Sequence, residues 1–274
     1  MSGRTIAIDG RSFAWRALGE GPPLLLVNGY AASSADWDPA LLAVLAHSFE
    51  LICPDNRGTG VSELGAADAL TVDAMAADLE RLLDALELER AAVVGWSMGG
   101  YVSQRLALRA PARVTALTLL ASAPAGPSGV LGEPAARRAL VDHSGTPREQ
   151  ASRLISLLFP PAVAARVDSE FGEVVAAARS ELSPQTLAAQ ERVLGEWHSQ
   201  AQRAPGADAP PVLVICGGED AVLPPANGEA LAAFWPGARV VQIAGGGHAF
   251  MAQEPERVAH LIEAFVREAK HGGG

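Results

Sequence analysis

Short runs of apolar residues alternate along the chain with segments in which apolar residues recur at helical spacing. The apolar runs, which are typical of buried strands, lie at residues 24–27, 49–54, 91–96, 114–121 and 211–216. Residues 71–86 show the helical pattern, and Thr71 stands where a helix N-cap is expected. Strands that alternate with helices predict an α/β fold with a mostly parallel central sheet and helices on both faces.

Further strands are predicted near both ends of the chain. Residues 4–8 and 12–18 flank Asp9-Gly10, a pair that favours a tight turn, so they predict an antiparallel hairpin. Residues 239–243, Arg-Val-Val-Gln-Ile, predict a further strand after the one at 211–216.

The alternation of strands and helices is interrupted between residues 125 and 205. Helical patterns follow one another there, at residues 134–141, 147–159, 162–178 and 184–197. Pro160-Pro161 separates the second of these patterns from the third, because proline ends a helix. We therefore expect a core built from residues 1–124 and 206–274, and an all-helical insertion at residues 125–205.

Gly95-Trp96-Ser97-Met98-Gly99 follows the apolar residues 91–94 and precedes a predicted helix. A glycine-flanked serine between a strand and a helix forms a strained turn, the nucleophile elbow, which exposes one hydroxyl above a sheet edge. The strand and helix approach closely in this turn, so Cβ atoms at residues 95 and 99 would clash. The motif alone is common by chance, but its position after a strand makes Ser97 a candidate nucleophile.

A serine hydroxyl is a weak nucleophile at neutral pH and needs a histidine base, which a carboxylate must orient. In chains with this turn, the acid precedes the histidine in sequence. Glu219 and Asp220 follow the predicted strand at 211–216, and His248 follows the one at 239–243. Open α/β sheets bind ligands beyond such strand ends, so His248 is the candidate base and either carboxylate is a candidate acid.

Four ordered segments together resemble the α/β-hydrolase superfamily, and the resemblance covers nearly the whole chain. Besides the elbow and the segments ending in Asp220 and His248, Val27-Asn28-Gly29-Tyr30 resembles the oxyanion loop after the third strand. Residues 55–62, Asp-Asn-Arg-Gly-Thr-Gly-Val-Ser, resemble the D-x-R-G-x-G-x-S loop after the fourth strand. Asn28 departs from the pattern, which usually has histidine at this position; an amide can also donate and accept hydrogen bonds.

The resemblance implies an α/β-hydrolase fold in which the insertion at 125–205 is a helical cap. It also implies a role for individual residues: Ser97 as nucleophile, Asp220 rather than Glu219 as acid, His248 as base, and the backbone N–H groups of Tyr30 and Met98 as the oxyanion hole. Within the superfamily, the chain looks most like 3-oxoadipate enol-lactonase-like esterases and cofactor-free haloperoxidase or perhydrolase relatives.

The predicted function is that of a serine hydrolase, which cleaves a small to medium carboxylic ester, lactone or related acyl substrate through an acyl-enzyme. Two alternatives stay open. One is a cofactor-free haloperoxidase or perhydrolase that uses the same triad, and the other is a ligand-binding receptor on a hydrolase scaffold. Trp37, Leu158 and Trp197 are candidate substrate-binding residues, although each of them is also an ordinary packing residue.

Charge and composition limit the kinds of partner, location and cofactor that we expect. The net charge of −10 repels phosphate backbones, so we expect no nucleic acid as a partner. The partner that the predicted function implies is a small-molecule acyl substrate. The chain has no run long enough to span a bilayer and no signal-peptide pattern, and its two cysteines lie in apolar strands, so we expect no membrane partner and a cytoplasmic location. Dinucleotide and Cys/His metal signatures are absent, which predicts no cofactor and no metal; the oligomeric state is not predicted.

Overall fold

A single twisted sheet forms the centre of the computed structural model, which describes residues 2–271. Within that range the strands are β1 (Ser2–Ile8), β2 (Arg11–Leu18), β3 (Pro23–Val27), β4 (Glu50–Pro54), β5 (Ala91–Trp96), β6 (Val114–Leu120), β7 (Val212–Gly217) and β8 (Arg239–Ile243). Their order across the sheet is β1-β2-β4-β3-β5-β6-β7-β8. β1 and β2 pair antiparallel, β2 pairs antiparallel with β4, and β3 to β8 run parallel. The predicted hairpin and the mostly parallel sheet are therefore confirmed.

Helices cover both faces of the sheet. They are α1 (Pro39–Leu45), α2 (Val72–Ala85), α3 (Met98–Arg109), α4 (Pro134–Leu140), α5 (Pro147–Leu158), α6 (Pro161–Ser180), α7 (Pro184–Ser199), α8 (Ala226–Phe234), α9 (Phe250–Gln253) and α10 (Pro255–His271). The apolar side chains of α2, α3 and α8 pack into one core. Those of α1 and α10 pack into a second core on the opposite face.

The central strands contribute to both cores at once. In β3, Leu25 and Val27 belong to the core of α2 and α3, whereas Leu24 and Leu26 belong to the core of α1 and α10. Successive side chains of a strand point to opposite faces, so a strand that is covered on both sides needs apolar residues at every position. This requirement explains the uninterrupted apolar runs that predicted the strands.

The helices α4, α5, α6 and α7 lie between β6 and β7 in the chain, within the segment that we call the helical insertion, residues 125–205. Each of them begins at a proline. Proline suits the first helical position because its φ is already helical and its missing N–H has no partner there. Thr146 and Glu149 add a reciprocal capping box at the start of α5. The four helical patterns predicted for this segment are confirmed to within two residues at each end.

Asp78 of α2 joins the loop after β4 to strand β2. Its carboxylate is buried and accepts hydrogen bonds from the guanidinium groups of Arg57, at 2.8 Å and a second shorter contact, and of Arg11, at 2.8 Å. In the same loop, Asp55 accepts the backbone N–H of Ser34 at 2.6 Å. The charges of this loop are thus used in holding the fold together.

None of the helices within residues 2–271 combines the length and the apolar composition needed to cross a bilayer.

We expect Asp78→Ala to lower the free energy of unfolding by about 3–5 kcal/mol, because it leaves two guanidinium groups largely buried without their carboxylate. Asp84→Ala is the matched control on the same helix. Asp84 is exposed and pairs with Arg113, so its loss should cost less than about 1 kcal/mol. Urea unfolding measures both values, and equal losses for the two variants would contradict this account of Asp78.

Candidate active site

Ser97 lies in a strained turn between β5 and α3. Its φ is 54° and its ψ is −120°, a conformation that residues other than glycine rarely adopt. Two neighbours fix the turn: the Ser97 N–H donates to the Leu120 carbonyl oxygen at 2.9 Å, and the Ser122 hydroxyl donates to the Ser97 carbonyl oxygen at 3.1 Å. The turn therefore holds the Ser97 side chain at the carboxyl edge of the sheet, as the sequence predicted.

Two glycines make this turn sterically possible. A Cβ atom at residue 95 would lie 2.5 Å from the Gly99 carbonyl oxygen, and one at residue 99 would overlap the carbonyl oxygen of Val27 at the end of β3. Substitution at either residue would therefore push α3 away from the sheet and displace Ser97.

His248 and Asp220 complete a chain of hydrogen bonds that begins at Ser97. The Nε2 atom of His248 is 3.0 Å from the Ser97 Oγ, and its Nδ1 atom is 2.8 Å from the Asp220 Oδ2. The other Asp220 oxygen accepts the backbone N–H groups of Val222 and Leu223, at 2.8 and 2.9 Å. Both His248 and Asp220 are buried. These contacts fix one orientation of the carboxylate and, through it, one orientation of the imidazole.

Glu219, the other candidate acid, is exposed to solvent. Its backbone N–H donates to the Gly246 carbonyl oxygen at 2.8 Å, which ties the loop after β7 to the loop that carries His248. Asp220 is therefore the carboxylate that the fold brings to the imidazole.

The backbone around His248 is held from three directions. The Trp96 indole N–H donates to the His248 carbonyl oxygen at 3.0 Å, and the Gly247 N–H donates to the Gln253 side chain at 2.8 Å. The Ala249 N–H donates to the carbonyl oxygen of Leu158 at 3.0 Å. Because Leu158 ends α5, the helical insertion contacts the histidine loop directly. Sequence reasoning did not find Gln253, which carries no recognisable motif.

Met98 and the loop after β3 lie beside Ser97, where the sequence predicts an oxyanion hole. Met98 is the first residue of α3, so its N–H has no acceptor within the helix. Gly29 lies against the elbow, since a Cβ atom there would be 3.2 Å from the Cβ of Ser97. The buried Asn28 amide donates to the Ser33 carbonyl oxygen, and the Asn28 carbonyl oxygen accepts the Asn56 amide at 2.9 Å. Asn28 thus braces this loop with its own side chain.

The side chain of Tyr30 joins the same loop to the helical insertion. Its hydroxyl donates to the Glu191 carboxylate of α7 at 2.8 Å, and His143 Nε2 is 2.5 Å from the same carboxylate oxygen. Burial, and secondarily the Glu191 carboxylate, raise the pKa of the Tyr30 phenol far above its usual range. The phenol therefore stays protonated at neutral pH and can act as a hydrogen-bond donor.

A cavity of about 1000 Å³ opens beside Ser97 and His248. Its volume is at the upper end of the range typical of small-molecule sites. Apolar side chains from the helical insertion line much of it, among them Leu154, Ile155, Leu158, Phe159 and Phe171. Trp37 and Trp96 line it on the core side, where their rings lie 6.4 Å apart.

Trp197 was expected to bind substrate, and this expectation is wrong. Its ring is fully buried and stacks on Tyr101 with the centroids 4.8 Å apart, and its N–H donates to the Ala123 carbonyl oxygen at 3.2 Å. Trp197 therefore anchors α7 to the core, and its neighbour His198 lines the cavity instead.

Charged side chains that sequence reasoning did not single out also line the cavity. Arg137 and Arg138 of α4 and Arg179 of α6 contribute guanidinium groups. The carboxylates of Asp36 and Asp38 line it too, but they accept backbone N–H groups at the starts of short helices, which partly neutralises them.

His198 is neutral in the folded protein at physiological pH. Burial, assisted by the nearby Arg137 charge, lowers the pKa of the imidazole to about 4. The His198 Nε2 atom is 3.1 Å from the Tyr101 hydroxyl, whose pKa burial raises far above its usual range. The pair therefore adds polar, uncharged groups to the cavity wall. Within residues 2–271, the His, Cys, Asp and Glu side chains form no group of three that would hold a metal ion.

Comparisons with known proteins agree with this fold. A family model described as alpha/beta hydrolase fold matches residues 22–255. A protein of Escherichia coli O127:H6 named putative carbamate hydrolase RutD is 30% identical over 254 residues, which are 89% of this chain and 90% of that protein.

Two solved structures have a similar fold and comparable identity. A hydrolase from Pseudomonas aeruginosa PA01 superimposes with a TM-score of 0.81 and 30% identity, over 96% of this chain and 98% of that one. A thermophilic esterase from Thermogutta terrifontis superimposes with a TM-score of 0.76 and 29% identity, over 98% of this chain and 99% of that one.

We expect the imidazole of His198 to stay neutral in the folded protein until the pH approaches 4, whereas it takes up a proton near pH 6.5 in the unfolded chain. The unfolded state therefore binds more protons in this window, so the His198 contribution to stability falls as the pH falls from 6.5 to 4. NMR titration of the histidine imidazole signals measures the pKa of His198 in the folded protein, and the signal that is missing in His198→Phe identifies it. His198→Phe should also show a shallower loss of unfolding free energy over this window; a titration near pH 6.5 in the folded state would contradict the burial argument.

Proposed function

Because this chain belongs to the alpha/beta hydrolase fold family, we propose that it is a serine hydrolase of small to medium carboxylic esters or lactones. The observation that carries the proposal is the continuous chain of hydrogen bonds from Ser97 through His248 to Asp220, at 3.0 and 2.8 Å. At its Ser97 end, this series of hydrogen bonds borders a cavity large enough to hold an acyl group beside the hydroxyl.

In the proposed acylation step, the Ser97 Oγ attacks the substrate carbonyl carbon while the His248 Nε2 takes the serine proton. Asp220 keeps the proton of His248 on Nδ1, so the lone pair of Nε2 faces the Ser97 hydroxyl. The Asp220 carboxylate also stabilises the imidazolium that forms. The carbonyl oxygen becomes an oxyanion, which the N–H groups of Tyr30 and Met98 stabilise.

Collapse of this intermediate breaks the bond to the alcohol, which leaves with the proton from His248. Water then attacks the acyl-enzyme with the same histidine as base, releasing the carboxylic acid and restoring Ser97. In both steps His248 is the group that takes and returns the proton, and the same two N–H groups stabilise the oxyanion, so no further group is required for proton transfer.

The lining of the cavity indicates the kind of acyl group. Its apolar wall from α5 and α6 favours a hydrocarbon body, and the guanidinium groups of Arg137, Arg138 and Arg179 favour a neutral or modestly anionic substrate over a cationic one. The Thermogutta terrifontis relative is an esterase and the Escherichia coli relative bears the name of a carbamate hydrolase. The substrate panel should therefore contain esters, lactones and carbamates, with and without a terminal carboxylate.

We expect Ser97→Ala to lower ester hydrolysis by about four orders of magnitude or more while the protein still folds. Labelling with a fluorophosphonate followed by mass spectrometry should place the adduct on Ser97.

Asp220→Asn should lower kcat by about 10⁴-fold, because an amide stabilises the wrong tautomer of His248, whereas the adjacent Glu219→Gln should retain near-normal activity.

Other outcomes of these assays would favour the alternative functions. Halogenation that depends on Ser97, acetate, halide and peroxide, with negligible cleavage of every ester, lactone and thioester tried, would indicate a haloperoxidase or perhydrolase. Tight ligand binding without turnover would indicate a receptor. An adduct on another serine, or a greater effect of Glu219→Gln than of Asp220→Asn, would overturn the residue assignments.

We expect Leu158→Ala to change acyl-length selectivity, because Leu158 lines the cavity. Its removal should raise kcat/KM for octanoate esters relative to acetate esters by about tenfold. Leu157→Ala is the matched control, since Leu157 packs into the core of α2 and α3. Initial rates on p-nitrophenyl esters of increasing length measure both ratios; a uniform fall for all lengths would show that Leu158 acts through stability alone.

A further inference from the structure

Gln190 of α7 reaches from the helical insertion into the core. Its side chain is fully buried, and both ends of its amide are hydrogen-bonded to the core. The Oε1 atom accepts the backbone N–H of Ala31 at 2.8 Å, and the Nε2 atom donates to the carbonyl oxygen of Arg57 at 3.3 Å. A buried amide with both groups satisfied specifies one arrangement of the segments that it joins.

The first of these segments is the loop that carries Tyr30. Ala31 has a φ of 54°, which is unfavourable for a residue with a Cβ and persists only where the surroundings hold it. Gln190 binds Ala31 on one side of Tyr30, and Glu191, the next residue of α7, binds the Tyr30 hydroxyl at 2.8 Å. Helix α7 thus fixes both the side chain of Tyr30 and the peptide that follows it.

The second segment is the loop after β4, which supports the first. Thr186 precedes Gln190 by one helical turn on the same face of α7, and it is buried against Gly58. In the same loop, the Asn56 amide donates to the Asn28 carbonyl oxygen at 2.9 Å. One face of α7 therefore holds the loop after β3 directly through Ala31 and indirectly through the loop after β4.

We propose that Gln190 is a positioning residue that orients the backbone N–H of Tyr30 toward the oxyanion. The inference rests on the proposed function, in which that N–H stabilises the developing negative charge. Such a donor is effective only when it is fixed in advance at the position that the oxyanion will occupy. The helical insertion then supports the chemical step as well as shaping the cavity.

The test compares Gln190→Met with Gln150→Met. Both residues are amides of the helical insertion that bond to backbone groups, but Gln150 donates only within the insertion, to the carbonyl oxygens of His143 and Gly145 at 2.8 and 3.2 Å. Methionine keeps the length of glutamine and removes the amide. Gln190→Met should lower kcat by about 10²-fold with KM changed less than about threefold, and Gln150→Met should change neither.

A transition-state analogue separates positioning from a general loss of structure. Affinity for a boronic acid, which forms a tetrahedral adduct on the serine, should fall in Gln190→Met by the same factor as kcat/KM, while affinity for the product carboxylate stays unchanged. Gln190→Glu keeps an acceptor for the Ala31 N–H and should retain more of kcat than Gln190→Met. Circular dichroism and urea unfolding of each variant show whether it is folded.

The rate of fluorophosphonate labelling tests Gln190 even if the proposed function fails. In this reaction the Ser97 Oγ bonds to phosphorus, His248 takes the proton and fluoride leaves, so oxyanion stabilisation is needed but hydrolysis is not. A wild-type protein that is labelled but cleaves no ester or lactone overturns the proposed function. Slower labelling of folded Gln190→Met than of the wild type would still support the positioning role of Gln190. Normal labelling and kcat in folded Gln190→Met, an equal fall in Gln150→Met, or no labelling of the wild type would overturn the inference.

Discussion

The close approach of β3, β5 and α3 around Ser97 is the constraint on which the candidate active site depends. Helix α3 lies so near the sheet that Gly95 and Gly99 have no room for a Cβ atom, and the Ser97 backbone is forced to a φ of 54°. Sheet and helix packing supply the energy that holds this conformation. The 3.0 Å contact with His248 therefore depends on packing across the whole sheet, since a small displacement of α3 would lengthen it.

Much of the fold could be predicted because its determinants are local. A strand covered on both faces needs apolar residues at every position, as residues 24–27 show. Each helix of the insertion begins at a proline and has an amphipathic pattern, and both features can be recognised in the sequence. The elbow was predictable for the same reason, because the absence of Cβ atoms that it requires is provided by glycines within the same five residues. The candidate base and acid were found by their positions after strands, which a sequence also displays.

Contacts between distant segments were not predictable in this way. The amphipathic pattern of residues 184–197 indicates that one face is buried, but it does not say whether that face meets the core or the cavity. Trp197 meets the core, 4.8 Å from Tyr101, whereas His198 faces the cavity. Gln190 likewise looks like any polar residue of a surface helix, and its partner Ala31 is 159 residues away. The preference for Asp220 over Glu219 came from family resemblance, and only the three-dimensional structure supplies a physical reason: residue 219 points to solvent.

The loop after β4 links the stability of the fold to the candidate site. Asp78 fixes the Arg57 side chain through a buried ion pair, and the carbonyl oxygen of the same Arg57 accepts the Gln190 amide, which in turn holds Ala31. These contacts connect Asp78 to the loop of Tyr30 through Arg57 and Gln190. The charged residues of this loop therefore hold the segment that Gln190 contacts, and in the proposed role of Gln190 they help to fix the direction of the Tyr30 N–H.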